Sequence, residues 1–328
     1  MTKIARITRR SLMMIPAVLA VTGTAPDTAS AQNYPNRQLN FVCAFPAGSG
    51  ADVLVRYFAE KVSAVLGQTV IVENKPGANG NIAAIYTARA KPDGYTVFVH
   101  SGTSIAANMW LFKKPPIDVV KDLRGVQFIN KQPFMIVVRA DSPIKDIPQL
   151  TAYLKEKNGA ASYATTATAG KVFGESYKQL TGAQATEVSY RTGPDTMNDI
   201  TSGQVDFAVL DPVFSISQAR AGRIRILAVS SPTRMQSLPD VPATKEYGID
   251  IDQLGWWGAF VPAGTPEPQI EKLNAAFKQV LETPETAKFL NGFGGDVYIG
   301  TPQEVQTLLA ETVAQWRDYV AMAKIPQN

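Results

Sequence analysis

Cysteine and histidine are almost missing from this chain of 328 residues, which holds one of each, Cys43 and His100. A single cysteine closes no internal disulfide, and one cysteine with one histidine cannot build a Cys/His zinc site. Any Ser-His-Asp or Cys-His arrangement would have to use His100. There is no G-x-S-x-G elbow, the carboxylates show no metal spacing, and no Gly-Lys-Ser/Thr marks a P-loop. No enzyme, cofactor or metal is therefore expected. A surplus of one charge is missing too. The formal charge is +4, and the first 31 residues supply +3 of it (Lys3, Arg6, Arg9 and Arg10 against Asp27), which leaves +4 − 3 = +1. A nearly neutral protein lacks the electrostatic footprint of a nucleic-acid binder. After the first segment no apolar run reaches the length of a membrane span.

What is there begins with an export signal over residues 1–31. Its basic start precedes a short apolar run from Leu12 to Val21, and Ala29-Ser30-Ala31 reads as a cleavage site. Thr8-Arg9-Arg10-Ser11-Leu12 is also twin-arginine-like. No cysteine follows to take a lipid, so a soluble periplasmic protein is expected.

Short apolar runs alternate with helical patterns along the remainder, with no internal repeat and no low-complexity linker. Strands are expected at Leu39–Phe45, Val70–Val72, Tyr95–His100, Phe134–Arg139, Ser162–Ala164, Glu187–Tyr190, Asp206–Leu210, Ile224–Val229 and Gly258–Val261. Leu54, Val55, Phe58 and Val62 share one face of a helix over Ala51–Leu66, and another helix lies near residues 80–90. The last third is helical, and Thr301-Pro302-Gln303-Glu304 opens its final helix with a capping box and a proline at the first position. This alternation implies α/β architecture with parallel sheets and crossover helices.

Four stretches offer binding chemistry. Phe45-Pro46-Ala47-Gly48-Ser49-Gly50-Ala51-Asp52 joins a buried strand to a helix. Unpaired N–H groups and the helix dipole favour an anion at such a place. A plain turn with Ser49 as N-cap and Asp52 closing a capping box is the competing reading. Tyr163–Lys171 sets Thr165, Thr166 and Thr168 on small spacers, and threonines also cap helices. Tyr190-Arg191 places a guanidinium suited to a carboxylate, or to a surface ion pair, at a strand end. Ser101 and Thr103 follow the strand that ends at His100, which more often is structural. Cys43, inside the first strand, is expected to be buried and inert.

In order and spacing these stretches resemble the Bug family, the periplasmic substrate-binding proteins of tripartite tricarboxylate transporters. Tyr34-Pro35-Asn36-Arg37 is similar to the family's YPxRP opening, and Phe45–Asp52 with Val55-Arg56 to PFPPGGxxDxxAR. Val72–Gly80 resembles VENRPGAGG, Lys91–Thr96 resembles xPDGYT, and Val188–Arg191 stands where the family has VPYKG. Gly203–Asp206 matches GxVD, Leu227–Pro242 matches LAVxxxxRxxxLPDVPT, and Pro262–Pro266 matches PAGTP. The second-lobe loop departs from the family's SxGxGSxxHL: Thr165, Ala167, Ala169 and Gly170 stand at the Ser/Gly positions, and Phe173 at the His.

The resemblance implies a type II periplasmic binding protein, two α/β lobes joined by crossing strands with the ligand in the cleft between them. Lobe 1 would hold residues 32–132 and 257–328, and lobe 2 residues 133–256, with Phe134–Arg139 and Trp257–Val261 as the crossings. Carried over by motif, the ligand contacts are Phe45, Ala47, Ser49, Gly50 and Ala51, then Ser101 and Thr103. The second lobe adds Thr165, Thr166, Ala167, Thr168, Tyr190, Arg191 and Asp211. The implied function is capture of a small carboxylate by a monomer that delivers it to the integral-membrane permease subunits. A ligand-presenting sensor is the alternative. Phe173, Phe45, Phe214 and Trp257 suggest an aromatic body for that carboxylate.

Overall fold

The computed structural model describes Thr2 and residues 34–327, so the expected signal, residues 1–31, falls outside them apart from Thr2. Contacts divide the chain into Met1–Tyr34 and Pro35–Asn328, and every element below belongs to the second unit.

Two sheets carry the structure. The first is built from β1 (Leu39–Cys43), β2 (Val70–Asn74), β3 (Thr96–Ser101), β4 (Leu123–Gln132), β10 (Gly255–Pro262) and β11 (Asp296–Val297), in the order β11-β4-β10-β3-β1-β2. The second is built from β5 (Met135–Arg139), β6 (Ser162–Thr165), β7 (Thr186–Ser189), β8 (Phe207–Leu210) and β9 (Ile224–Val229), in the order β7-β6-β8-β5-β9. The helices are α1 (Gly50–Leu66), α2 (Asn81–Ala88), α3 (Gly102–Leu111), α4 (Val119–Asp122), α5 (Ile147–Lys157), α6 (Thr168–Thr181), α7 (Gly193–Ser202), α8 (Pro212–Arg220), α9 (Glu267–Leu281), α10 (Pro284–Gly292) and α11 (Pro302–Met322).

The sheets are mixed, which corrects the expectation of parallel ones. β1 runs parallel to β2 and β3, and β6 parallel to β7 and β8. β10 is antiparallel to β3 and β4, and β5 is antiparallel to β8 and β9. The antiparallel strands are those next to the passages of the chain from one sheet to the other. β5 and β10 are themselves sheet strands. The passages are residues 133–134 and 230–254, and Gly255 and Trp256 stand in the first sheet.

Apolar periodicity explains the cores. Leu54, Val55, Phe58 and Val62 of α1 are buried, and Phe41 of β1 stacks on Phe277 of α9 with centroids 5.5 Å apart. In the second core Tyr163 stacks on Phe207 at 5.0 Å, beside buried Phe173 and Tyr177. The start of α11 matches its sequence signal. Thr301 Oγ1 accepts from Glu304 N at 3.2 Å, and Glu304 accepts from Thr301 N at 2.7 Å. Thr301→Ala is expected to lower stability by about 1 kcal/mol, read as a shifted urea midpoint with unchanged slope.

Register places strand ends of each sheet beside the passages between them. In the first, the end of β3 (Ser101) lies opposite Trp257, and the end of β4 (Gln132) lies opposite Gly255. In the second, the first residue of β5 (Met135) lies opposite Leu210, the end of β8, and opposite Val229, the end of β9. The carboxyl ends of the parallel strands in both sheets therefore gather where the chain passes between them. The two passages are tied together there. Phe134 N donates to Ser230 Oγ at 2.9 Å, Ser230 N to Phe134 O at 3.0 Å, and Gln253 N to Ser230 O at 3.1 Å.

Candidate functional site

Open α/β sheets bind ligands outside the carboxyl ends of their strands. Five helices start at those ends: α1 after β1, α3 after β3, α6 after β6, α7 beyond β7 and α8 after β8. Their N-termini are the positive ends of their dipoles.

The loop before α1 is fixed from within. Ser49 Oγ accepts from Asp52 N at 3.2 Å, as an N-cap does. The Asp52 carboxylate does not complete a capping box on Ser49 N, which donates to Pro46 O instead. It accepts from Gly48 N at 2.8 Å, Arg56 Nε at 2.8 Å and Asn74 Nδ2 at 2.7 Å. Burial raises the Asp52 carboxyl, but the hydrogen bonds from Arg56, Asn74 and Gly48 outweigh it and hold the pKa at about 2. Asn74 Nδ2 also donates to Phe45 O at 2.9 Å, so the end of β2 anchors both ends of the loop. Gly48 has φ +82° and open space where a side chain would stand.

Behind this loop lies an aromatic cluster. Phe45 sits 5.3 Å from His100 and 5.9 Å from Trp257, centroid to centroid. Burial pushes the His100 imidazole down to about 3, and neither ring nitrogen has a partner among the described residues. His100 is thus a neutral packing group, too weak a base for catalysis near neutral pH. Cys43 is buried and its thiol is pushed up by that burial.

The other expected contacts divide into engaged and open groups. Ser101 caps α3 by accepting from Ser104 N at 3.1 Å, and Thr103 Oγ1 accepts from Trp256 N at 3.1 Å. Thr165 is buried, and its hydroxyl donates to Glu187 at 2.5 Å. The Tyr190 hydroxyl donates to Asp199, and burial followed by that carboxylate pushes it up to about 12. Asp211 caps α8 by accepting from Phe214 N at 2.9 Å, while burial pushes its carboxyl up. Thr166, Ala167 and Thr168 are the open group. Ala167 is the N-cap of α6 and supplies no capping side chain. Arg191 is exposed and forms no ion pair or hydrogen bond among the described residues.

Contacts on two sides hold the facing edges near one another. A methyl group on Gly50 would stand 3.8 Å from the Phe293 ring, and one on Gly294 would stand 2.7 Å from Pro212 Cβ. Phe293-Gly294 therefore links the α1 loop to the start of α8. On the other side, Ser176 Oγ of α6 lies 3.7 Å from Met322 Sδ of α11. The aromatic-body expectation loses one support, because Phe173 is fully buried in the second core and faces no cleft. Asn74, Arg56 and Phe293 were not among the expected site residues. The i, i+4 spacing of Asp52 and Arg56 was the available signal for Arg56.

This layout has counterparts. A family model described as the tripartite tricarboxylate transporter family receptor matches residues 54–324. The chain belongs to that family of solute-binding receptors. A UPF0065 protein of Bordetella bronchiseptica is 34% identical over 96% of this chain and 93% of its own length. Among solved structures, the periplasmic binding protein BugD is 29% identical with a TM-score of 0.73, over 90% of this chain and 100% of its own. An R. palustris protein solved with adipate is 27% identical with a TM-score of 0.77, over 90% and 100%. MatC from Rhodopseudomonas palustris with bound malate is 27% identical with a TM-score of 0.72, over 88% and 100%. The receptor accordingly has the two-lobe fold of periplasmic binding proteins and is not an enzyme. Among its described residues no helix is long and apolar enough to cross a membrane.

Proposed function

We propose that this receptor captures a small carboxylate in the periplasm and delivers it to the membrane subunits of a tripartite tricarboxylate-type permease. The observation that carries this reading is the gathering of five helix starts at the facing carboxyl edges of two sheets. The lobes are residues 35–132 with 255–327, and residues 133–254. One carboxylate group lies against the α1 loop, where Asp52 occupies the Gly48 N–H and leaves those of Gly50 and Ala51 for the ligand. A second polar end meets the uncapped start of α6 at Thr166–Thr168, with Arg191 as its charged partner. Family neighbours solved with adipate and with malate support the carboxylate class. Phe45 and Trp257 provide an apolar wall for the ligand body.

A thermal-shift screen over malate, adipate, benzoate and phthalate tests the reading. A ligand at about 100 times its Kd should add about 2.7 kcal/mol to stability. A response to malate or adipate alone selects an aliphatic body, and a response to benzoate or phthalate selects an aromatic one. No response to any carboxylate contradicts the reading. Ser49→Ala is expected to weaken binding only modestly, by about 0.5–1.5 kcal/mol, because one neutral hydroxyl is lost. Calorimetry with the responding acid checks this.

A further inference from the structure

A cavity of about 330 Å³ opens where the two passages meet α11. Of the expected cleft contacts only Thr103 borders it. Its wall is formed by Phe134 of the first passage, Asp252 and Gln253 of the second, Lys131 at the end of β4, and Glu311 and Trp316 of α11. Ala169 of α6 closes it from the other lobe.

Three charged residues line this space. Asp252, Glu311 and Lys131 form no ion pair among the described residues. Burial, with Asp250 adding to it, pushes the Asp252 carboxyl up, against the smaller opposing pull of Lys245 and the Leu254 N–H. The backbone oxygen of Asp252 is occupied by the Tyr319 hydroxyl at 2.9 Å, which fixes the residue at the wall. Gln253 Oε1 is buried and has no donor among the described residues. The Lys131 ammonium lies 6.0 Å from the centroid of the Tyr298 ring, which also lines the cavity. Two carboxylates, an orphan amide oxygen and aromatic faces attract an ammonium group. One lysine stands ready for a single carboxylate. A ligand carrying carboxylates alone would meet Asp252 and Glu311 as like charges.

We infer that this cavity is a second ligand site, taking a small zwitterion that carries one ammonium and one carboxylate group. The ammonium lies between Asp252, Glu311 and Gln253 Oε1, and the carboxylate turns to Lys131. Because the wall comes from both passages and both lobes, an occupant favours one arrangement of the lobes. Its binding and that of the cleft ligand are then coupled, and reciprocally so.

The probes are 4-aminobutyrate and glycine betaine, titrated calorimetrically into the full receptor with Trp256 and Trp316 fluorescence as a second signal. At least one probe is expected to bind the wild type. Glu311→Gln and Asp252→Asn should each weaken it tenfold or more, while Gly48→Val in the cleft leaves it in place. No binding of either probe at millimolar concentration overturns the inference. So does binding that survives both acidic substitutions, or that is lost only in Gly48→Val. A wild-type crystal grown with the binding probe needs no variant: density beside Asp252 and Glu311 supports the site, and density only at the α1 loop refutes it. Failure here leaves the carboxylate screen untouched, since that screen reads the cleft with different compounds.

Discussion

Asp52→Ala is expected to destabilise the receptor by about 2–3 kcal/mol and to weaken carboxylate binding tenfold or more. The substitution strips partners from Gly48 N, Arg56 Nε and Asn74 Nδ2 together. The loop then keeps only the Phe45 end of its tie to Asn74 of β2, and the N–H groups offered to the ligand lose their fixed direction. The pH dependence has a definite sign. The Asp52 pKa is lowered from 3.8 to about 2, so the native state holds fewer protons than the unfolded state between those values. Its stabilisation is complete above the unfolded pKa and is lost as pH falls through that interval. Urea unfolding of wild type and Asp52→Ala should therefore differ fully at pH 6 and progressively less below about pH 4. A difference that grows as pH falls would exclude a stabilising ionised Asp52.

Gly102→Val should disturb the fold more than any other single change described above, by about 3 kcal/mol or more. A Cβ on Gly102 would lie 2.1, 2.3 and 2.4 Å from three ring carbons of Trp256. The indole cannot retreat easily. Its Nε1 donates to Thr312 Oγ1 at 3.2 Å, and its ring meets Phe128 edge-on at 5.4 Å. α3 would have to move away from β10, carrying its Ser101 cap out of the cleft wall. Trp256→Ala in the same chain should return part of the loss, because the two residues share one space. Denaturant midpoints of the single and double variants check this. Additive losses would show that the clash is not what limits the site.

Most strands were legible because their apolar runs are short and bounded by turn residues, as at Ile224–Val229. β4 was not. Gln127 and Asn130 interrupt its pattern, although both are fully buried. The sequence cannot show that Gln127 Oε1 accepts from Gly300 N at 2.8 Å and from Phe128 N at 2.8 Å, which is what makes a glutamine acceptable in a core strand. α3 was hidden in the same way, since Ser101-Gly102-Thr103-Ser104 reads as a hydroxyl-rich loop until Ser101 is seen as its cap. The antiparallel strands escaped notice because strand direction depends on where the chain passes between sheets, a property of topology and not of local periodicity.

For the candidate site, the sequence shows where the loops fall on the strands and not which of their groups are already engaged. The α1 loop, Thr166–Thr168 and Arg191 lie at or just beyond strand ends. Thr165 and Tyr190 sit there too, but their hydroxyls are held by Glu187 and Asp199. Residue type shows which hydroxyls exist, and only three-dimensional neighbours show which are already occupied. Phe173 makes the same point for apolar groups. It stands where many relatives have a polar residue, yet the next turn of α6 buries it against Tyr163 and Phe207.

The central claim is that backbone groups of the α1 loop bind a carboxylate, and paired glycine substitutions test it most directly. Gly48 (φ +82°) and Gly67 at the end of α1 (φ +65°) both occupy the left-handed region with open space beside them. Valine at either position meets comparable backbone strain. Only at position 48 does the new side chain stand before the proposed anion. Calorimetric titration of the best acid from the screen should give a Kd tenfold or more weaker for Gly48→Val and an unchanged Kd for Gly67→Val. Equal affinities for wild type and Gly48→Val would contradict the claim.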